Sequence, residues 1–211
     1  MNKYKCIIFD CDGVLVDSEP ISIQLLVDMA NSYGTNIDLA YGMKHFKGSF
    51  FDACKSNIAQ LTQNPIPDSF QEDYRKLSFE AFKKGMKPVA GIKNVLDNLS
   101  IPFCVASSGP EDKIKLNLEL SGLLPYFENK IFSCYAIQKW KPDPAVFLLA
   151  AKTMGFKPNE CLVIEDSLSG VKAAKAGGFD VLGFTAYDYN NELEKEATKT
   201  FNSMSELLGM I

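Results

Sequence analysis

The stretch Asp10-Cys11-Asp12-Gly13-Val14-Leu15-Val16-Asp17-Ser18-Glu19 follows directly on the apolar run Tyr4 to Phe9. A β-branched, aromatic-rich run ending abruptly in two carboxylates one residue apart predicts a buried strand that carries acids to its C-terminal edge. Open α/β sheets place their ligands at that edge. Two like charges this close are costly to desolvate unless a cation joins them or their protonation states separate. The pair therefore points to metal-assisted chemistry, with one nucleophile or ligand and one proton carrier. The competing reading is a solvated turn, since Asp and Gly are common turn residues.

Further strand-like runs recur at Ile101–Ser107, Lys130–Cys134, Cys161–Asp166 and Val181–Thr185. Helix-like segments lie between them. Pro110 opens one, followed by the acids Glu111 and Asp112 and stopped at Gly122; Asp143-Pro144 opens the next, which runs to Gly155; Ser167 opens another, ending at Gly177-Gly178. Strands alternating with helices predict an α/β fold with a doubly wound parallel sheet. Residues 16–87 break this rhythm, with helix-like segments at Pro20–Tyr33, Phe50–Leu61 and Asp68–Lys84 and no convincing strand. The expected organisation is a catalytic core of 1–15 and 88–211 with an all-helical insert, 16–87, over its catalytic edge. The tail after Asn190 is charged, then weakly helical from Ser203 to Met210, and is expected on the sheet's flank.

The chain has 211 residues, 46% of them apolar and 23% charged, with a net charge of −4. That length supports one good core carrying a smaller insert. The acidic balance argues against a nucleic-acid partner but not against small anionic substrates. Nothing resembles a signal peptide, and no run approaches the ~20 apolar residues of a bilayer span, so no membrane partner is expected. Six cysteines (Cys6, Cys11, Cys54, Cys104, Cys134, Cys161) show no C-x-x-C spacing. They predict free thiols in a reduced cytoplasm rather than a zinc site or a disulfide framework. A monomer is the default for this size.

Four signals share one address, the residue or two after a strand. Asp10 and Asp12 follow the first. Ser107 and Ser108 follow the second, and Gly109-Pro110 then starts a helix, so a hydroxyl and helix N-terminal N–H groups can face an anion. Lys141 lies in Trp140-Lys141-Pro142-Asp143-Pro144, where the prolines rigidify the loop. Glu165 and Asp166 end the fourth strand. Each signal alone is weak; together they describe phosphoryl transfer. Asp10 can attack phosphorus to give an acyl phosphate that water cleaves. Asp12 can protonate the leaving oxygen and later deprotonate the water. Mg²⁺ prefers oxygen ligands and keeps some waters, so Asp10, the Asp12 backbone carbonyl and Asp166 would suit it. Ser107 and Lys141 would grip the phosphoryl oxygens.

Asp10-x-Asp12-Gly-Val, Ser107, Lys141-Pro-Asp-Pro and Glu165-Asp166-Ser-x-x-Gly170 resemble, in order, the four motifs of the haloacid dehalogenase superfamily. The resemblance covers the whole chain, the helical insert being similar to that family's cap domain over a Rossmann-like core. It implies a Mg²⁺-dependent phosphatase acting through an aspartyl phosphate. The Glu-Asp-Ser-x-x-Gly form and the insert position resemble the β-phosphoglucomutase-like sugar phosphatases. Phe46-Lys47-Gly48, Ser107-Ser108-Gly109-Pro110 and Ile137–Ala145 resemble the members acting on 6-phosphogluconate, which makes that sugar acid phosphate the first substrate expected. Phosphoglycolate, a hexose 6-phosphate or pyrophosphate are the alternatives. Dehalogenases of the family lack an acid at the position of Asp12, which favours phosphate ester cleavage here. A β-phosphoglucomutase-type phosphomutase is a further alternative; the mutase carries a His and an Arg where this chain reads approximately Ser22 and Phe51, which favours net hydrolysis. A phospho-accepting receiver-like signalling domain, the non-enzyme alternative, would lack the helical insert.

Lys47 and Arg75, both in the insert, are candidates to pair with a sugar acid's carboxylate; each is otherwise a solvated cation. His45 has no nucleophile beside it and is left out. Trp140 reads as a packing residue fixing Lys141, and the resemblance, which puts Asp166 at the family's direct-ligand position, implies that Glu165 partners the metal from behind that ligand or through water. Asp17, Ser18 and Glu19 read as a hinge and a helix N-cap.

Overall fold

Cys6-Ile7-Ile8-Phe9 offers no polar face, which suits only a central strand covered on both sides. All four residues are buried in the computed structural model, which describes residues 3–47, 49 and 51–211. Gly48 and the expected helix start Phe50 lie outside the described residues. Strands β1 (Cys6–Phe9), β2 (Phe103–Ser107), β3 (Ile131–Ser133), β4 (Cys161–Glu165), β5 (Asp180–Phe184) and β6 (Lys199–Phe201) form one parallel sheet in the order β3-β2-β1-β4-β5-β6. Ile7 stands opposite Phe103 on one side and Leu162 on the other. The α/β, doubly wound expectation holds.

The chain divides into two compact units, Asp17–Met86 and Met1–Val16 with Lys87–Ile211. The first is helical: α1 (Glu19–Ser32), α2 (Leu39–His45), α3 (Phe51–Leu61) and α4 (Phe70–Gly85). In α1, Pro20 occupies the first turn, and Ile23, Leu26, Val27 and Ala30 form a buried stripe at helical spacing. The short α2 escapes a sequence reading because Gly42 sits in its middle and lowers helix propensity. Packing requires that glycine, since a Cβ there would lie 2.6 Å and 2.7 Å from methyls of Ile23 and Val27. The Asp38 carboxylate caps α2, accepting from the Tyr41 N–H at 2.8 Å.

In the sheet unit the chain leaves at Val16 and returns at Pro88, and these two residues form an antiparallel bridge. There follow α5 (Ile92–Asn98), α6 (Glu111–Leu120), α7 (Cys134–Ile137), α8 (Ala145–Met154), α9 (Leu168–Ala176), α10 (Leu193–Glu196) and α11 (Met204–Leu207). One face of the sheet closes around Cys6, Ile8, Ala106, Val163 and Val181, covered by Phe147 and Ala150 of α8 and by Val171 and Ala174 of α9. The six cysteines are free and buried.

The sequence reading supplies five strands, and β6 is the addition. Three residues in a charged tail carry too short a pattern to read, yet Phe184 lies opposite Phe201 and the Thr198 N–H donates to the Val181 carbonyl at 2.9 Å. A short edge strand beginning with an exposed lysine is also protected against pairing with another chain.

Candidate active site

Parallel strands in register bring their C-terminal ends to one edge. The Asp10 N–H extends the β1–β4 ladder by one residue, donating to the Ile164 carbonyl at 2.9 Å, so its side chain emerges where β4 ends in Glu165 and Asp166. The order of strands reverses between β1 and β4, the place where open α/β sheets part to form a ligand crevice. Ser107 closes β2, the next strand over, and is buried.

Lys141 comes from the loop between α7 and α8. Its Nζ donates to Asp10 Oδ1 at 2.5 Å, to Glu165 Oε1 at 2.7 Å and to the Ala106 carbonyl at 3.2 Å. The ammonium also lies 4.7 Å from the centre of the Phe147 ring. The residue is only 5% exposed. Burial pulls its pKa down, but Asp10 and Glu165 outweigh it and hold the lysine above its usual range, as a cation. Burial pushes Asp10 up and the nearby Glu165 and Asp166 charges add to this, while Lys141 opposes them. Lys141 thus bridges Asp10 and Glu165, and Asp166 is buried at the same edge.

Glu165 has a second task. Its Oε2 accepts from the Ser167 N–H at 2.7 Å and from the Ser167 hydroxyl at 2.9 Å, while that hydroxyl accepts from the Gly170 N–H at 3.1 Å and caps α9. Glu165 therefore ties the helix start to Lys141. Gly170 faces this carboxylate so closely that a Cβ would overlap it. The Ser107 hydroxyl accepts from the Gly109 N–H at 3.1 Å, Ser108 is exposed beyond it, and α6 starts just after Pro110.

Asp12 is held by two residues that sequence reasoning misses. Lys113 Nζ lies 3.0 Å from its Oδ2, and Asn117 Nδ2 donates to its Oδ1 at 3.1 Å. The two sit four residues apart on α6, hence on one face. Asn117 is fully buried and its own Oδ1 lacks a hydrogen-bond partner, a burial that costs about 1–3 kcal/mol. The available signal was an amide set among the buried Ile114 and Leu118 of α6.

Lys47 and Arg75 belong to the helical unit, Lys47 just after α2 and Arg75 within α4. His45 packs against the Tyr41 ring at 4.3 Å between centres. Trp140 departs from its expected packing role. It is 41% exposed and lies edge-on to Tyr135, 5.4 Å between centres.

A hard cation fits this edge. Gly13, at a φ of +81°, leaves room for the Asp166 carboxylate, where a Cβ would lie 2.7 Å from its Cγ. The buried acids outnumber the buried lysine. Among the described residues no group of three or more His, Cys, Asp or Glu side chains forms a metal-ligating cluster. Two carboxylates and a backbone carbonyl, with water and substrate completing the shell, is how Mg²⁺ rather than zinc is held.

The family model for haloacid dehalogenase-like hydrolases matches residues 4–178. The chain belongs to that family and is an enzyme of the hydrolase class. It is similar to the 6-phosphogluconate phosphatase of Escherichia coli K12, 31% identical over 98% of this chain and 94% of that protein. Its fold matches a haloacid dehalogenase-like protein of Agrobacterium tumefaciens, with a TM-score of 0.92, 29% identity and coverage of 98% of this chain and 97% of that one. It also matches a hydrolase of the family from Deinococcus radiodurans solved with bound phosphate and sodium, with a TM-score of 0.85, 27% identity and coverage of 97% and 93%. Among the described residues no helix is long and apolar enough to cross a membrane.

Proposed function

We propose that the protein is a Mg²⁺-dependent phosphatase of a small phosphorylated sugar or sugar acid, 6-phosphogluconate first among them, working through an aspartyl phosphate on Asp10. The observation that carries this reading is the buried Lys141 ammonium bonded at once to Asp10 and Glu165. It holds a carboxylate at the sheet edge beside a cation able to receive phosphoryl oxygens. The Escherichia coli relative named for 6-phosphogluconate supports the substrate class.

Asp10 attacks phosphorus in line with the ester oxygen, forming the acyl phosphate as the P–O ester bond breaks. Asp12 gives its proton to the departing alkoxide. A water molecule then attacks phosphorus, Asp12 takes its proton, and Asp10 is released with inorganic phosphate. Lys141, the Ser107 hydroxyl and the N–H groups opening α6 bind the phosphoryl oxygens throughout. Asp10, the Asp12 carbonyl and Asp166 would hold Mg²⁺, which offsets the charge of the phosphoryl group and the carboxylates, while Glu165 stays with Lys141 and Ser167. The helical unit acts as the cap, with Lys47 and Arg75 pairing with the carboxylate of a sugar acid. The free, buried cysteines suit a reduced cytoplasm.

The test is a panel of phosphate esters with Mg²⁺, ranked by kcat/KM and including 6-phosphogluconate, hexose 6-phosphates, phosphoglycolate and pyrophosphate. A sugar acid or sugar phosphate at the head of the ranking is expected. Absence of turnover of every ester would overturn the function, and pyrophosphate or phosphoglycolate at the head would overturn the substrate class.

A further inference from the structure

We propose that Lys113 and Asn117 are positioning residues that hold the Asp12 carboxylate by both its oxygens from one face of α6. This deepens the phosphatase reading and rests on the role given there to Asp12.

Two observations carry it. The first is geometric: Lys113 Nζ meets Asp12 Oδ2 at 3.0 Å and Asn117 Nδ2 meets Oδ1 at 3.1 Å, so rotation of the carboxylate about its χ2 breaks both bonds. The second is the state of Asn117. It is 0% exposed, between the buried Ile114 and Leu118, and its amide oxygen has no partner. A leucine would fill such a place with no orphaned acceptor. Of the side chain's polar atoms, the amide nitrogen that reaches Asp12 is the one with a use. The opposite amide orientation would set an oxygen against a carboxylate oxygen, which fixes the assignment. A group whose burial is unfavourable for the fold, and whose single bond goes to the proton carrier, is placed for that carrier.

The chemistry gives the arrangement a purpose. Asp12 must meet the ester oxygen in one half-reaction and a water in the next. A proton carrier is effective only within hydrogen-bond reach of each. Loss of these two tethers leaves the carboxylate present but removes the bonds that fix both its oxygens from α6.

The test uses the full chain with Mg²⁺, glucose 6-phosphate as an alkyl ester and p-nitrophenyl phosphate as an aryl ester whose leaving group departs without a proton. Asn117→Leu and Lys113→Met are made singly and in the Asp12→Asn background, with Lys113→Arg as the conservative variant. Expected is a fall in kcat on glucose 6-phosphate of about tenfold or more, a part of the full general-acid contribution, with KM within about twofold. The loss on p-nitrophenyl phosphate should be smaller, and Lys113→Arg should recover most of the rate. In the Asp12→Asn background neither substitution should lower kcat further. Equal losses on the two esters in the single-turnover phosphorylation rate, where only the leaving group differs, or losses in kcat that add to that of Asp12→Asn, would overturn the proposal. A second readout needs no turnover: Tm shifts of Asn117→Leu and Asp12→Asn should be non-additive, since the two groups touch. Additive shifts overturn the tether even in an active enzyme. Coupled shifts in a wild-type protein that hydrolyses no ester overturn the phosphatase reading, and with it the catalytic purpose, while leaving the contact in place.

Discussion

Gly170 and Glu165 lie five positions apart in the chain, yet the glycine's missing side chain is the space that the carboxylate occupies. Because Glu165 holds Lys141, which in turn holds Asp10, the first turn of α9 is coupled to the candidate nucleophile through three side chains.

Gly170→Ala is therefore expected to displace Glu165 and tilt Lys141. A misplacement near 1 Å costs on the order of a hundredfold in rate. Steady-state kinetics on p-nitrophenyl phosphate and far-UV circular dichroism check this: kcat should fall while helix content is kept. An alanine variant as active as the parent would show that Glu165 does not need its present place.

Asp10→Asn should abolish turnover and leave the fold intact, because the asparagine is nearly isosteric and Lys141 keeps Glu165 as its partner. Chelation of the parent protein with EDTA should likewise stop hydrolysis, with recovery on adding Mg²⁺. Normal Mg²⁺-dependent activity in Asp10→Asn would sink the aspartyl-phosphate mechanism.

Lys141→Met removes the cation from two buried carboxylates. Stripping one partner from a buried ion pair destabilises by about 3–5 kcal/mol. Urea unfolding in EDTA measures the loss without interference from metal. A change below about 1 kcal/mol would mean that the carboxylates are solvated rather than bridged.

Lys47→Ala is expected to raise KM for 6-phosphogluconate at least about tenfold, with little effect on p-nitrophenyl phosphate, and Arg75→Ala to do so more weakly. Equal effects on both substrates would remove them from substrate recognition.

The thiols provide a check on the core. A hydrogen bond that the Cys6 thiol donates to Cys104 pushes it up to about 12, with burial adding to this, and burial pushes Cys54 up to about 11. A raised thiol pKa lowers the thiolate fraction at any pH below it, and the thiolate is the nucleophile. The folded protein at pH 8 should therefore react negligibly with an aromatic disulfide reagent, and the unfolded protein should titrate six cysteines. Rapid labelling of the native state would contradict this burial.

The sheet and the acids at its edge are legible in the sequence because each strand there is an uninterrupted apolar run that stops at a polar residue. Asp10, Ser107 and Glu165 with Asp166 mark such stops, and Lys141 is marked by its flanking prolines. What escapes notice is short or ambiguous in composition. Two of the three residues 199–201 are polar, and the segment finds its place by pairing with β5 rather than by a pattern of its own. Helix α2 contains the glycine that its close packing demands. Lys113 and Asn117 look like ordinary members of an amphipathic helix, because one sequence does not say which strand end a helix face will meet. Trp140 shows the limit in the other direction, an aromatic residue assigned to packing that stands half exposed against Tyr135.

The central position of β1 also sets an order of events during synthesis. Its residues are made before those of the other strands of this sheet, but its hydrogen-bonding partners begin at Phe103 and Cys161. At roughly 5–20 residues per second, the wait for the first partner is about 5–20 s. For that interval the nascent chain carries an unpaired apolar strand, while the helical segment that follows it can complete its own local contacts. The aspartates and glycine at the strand's end then serve as gatekeepers against premature association, before they have any chemistry to perform.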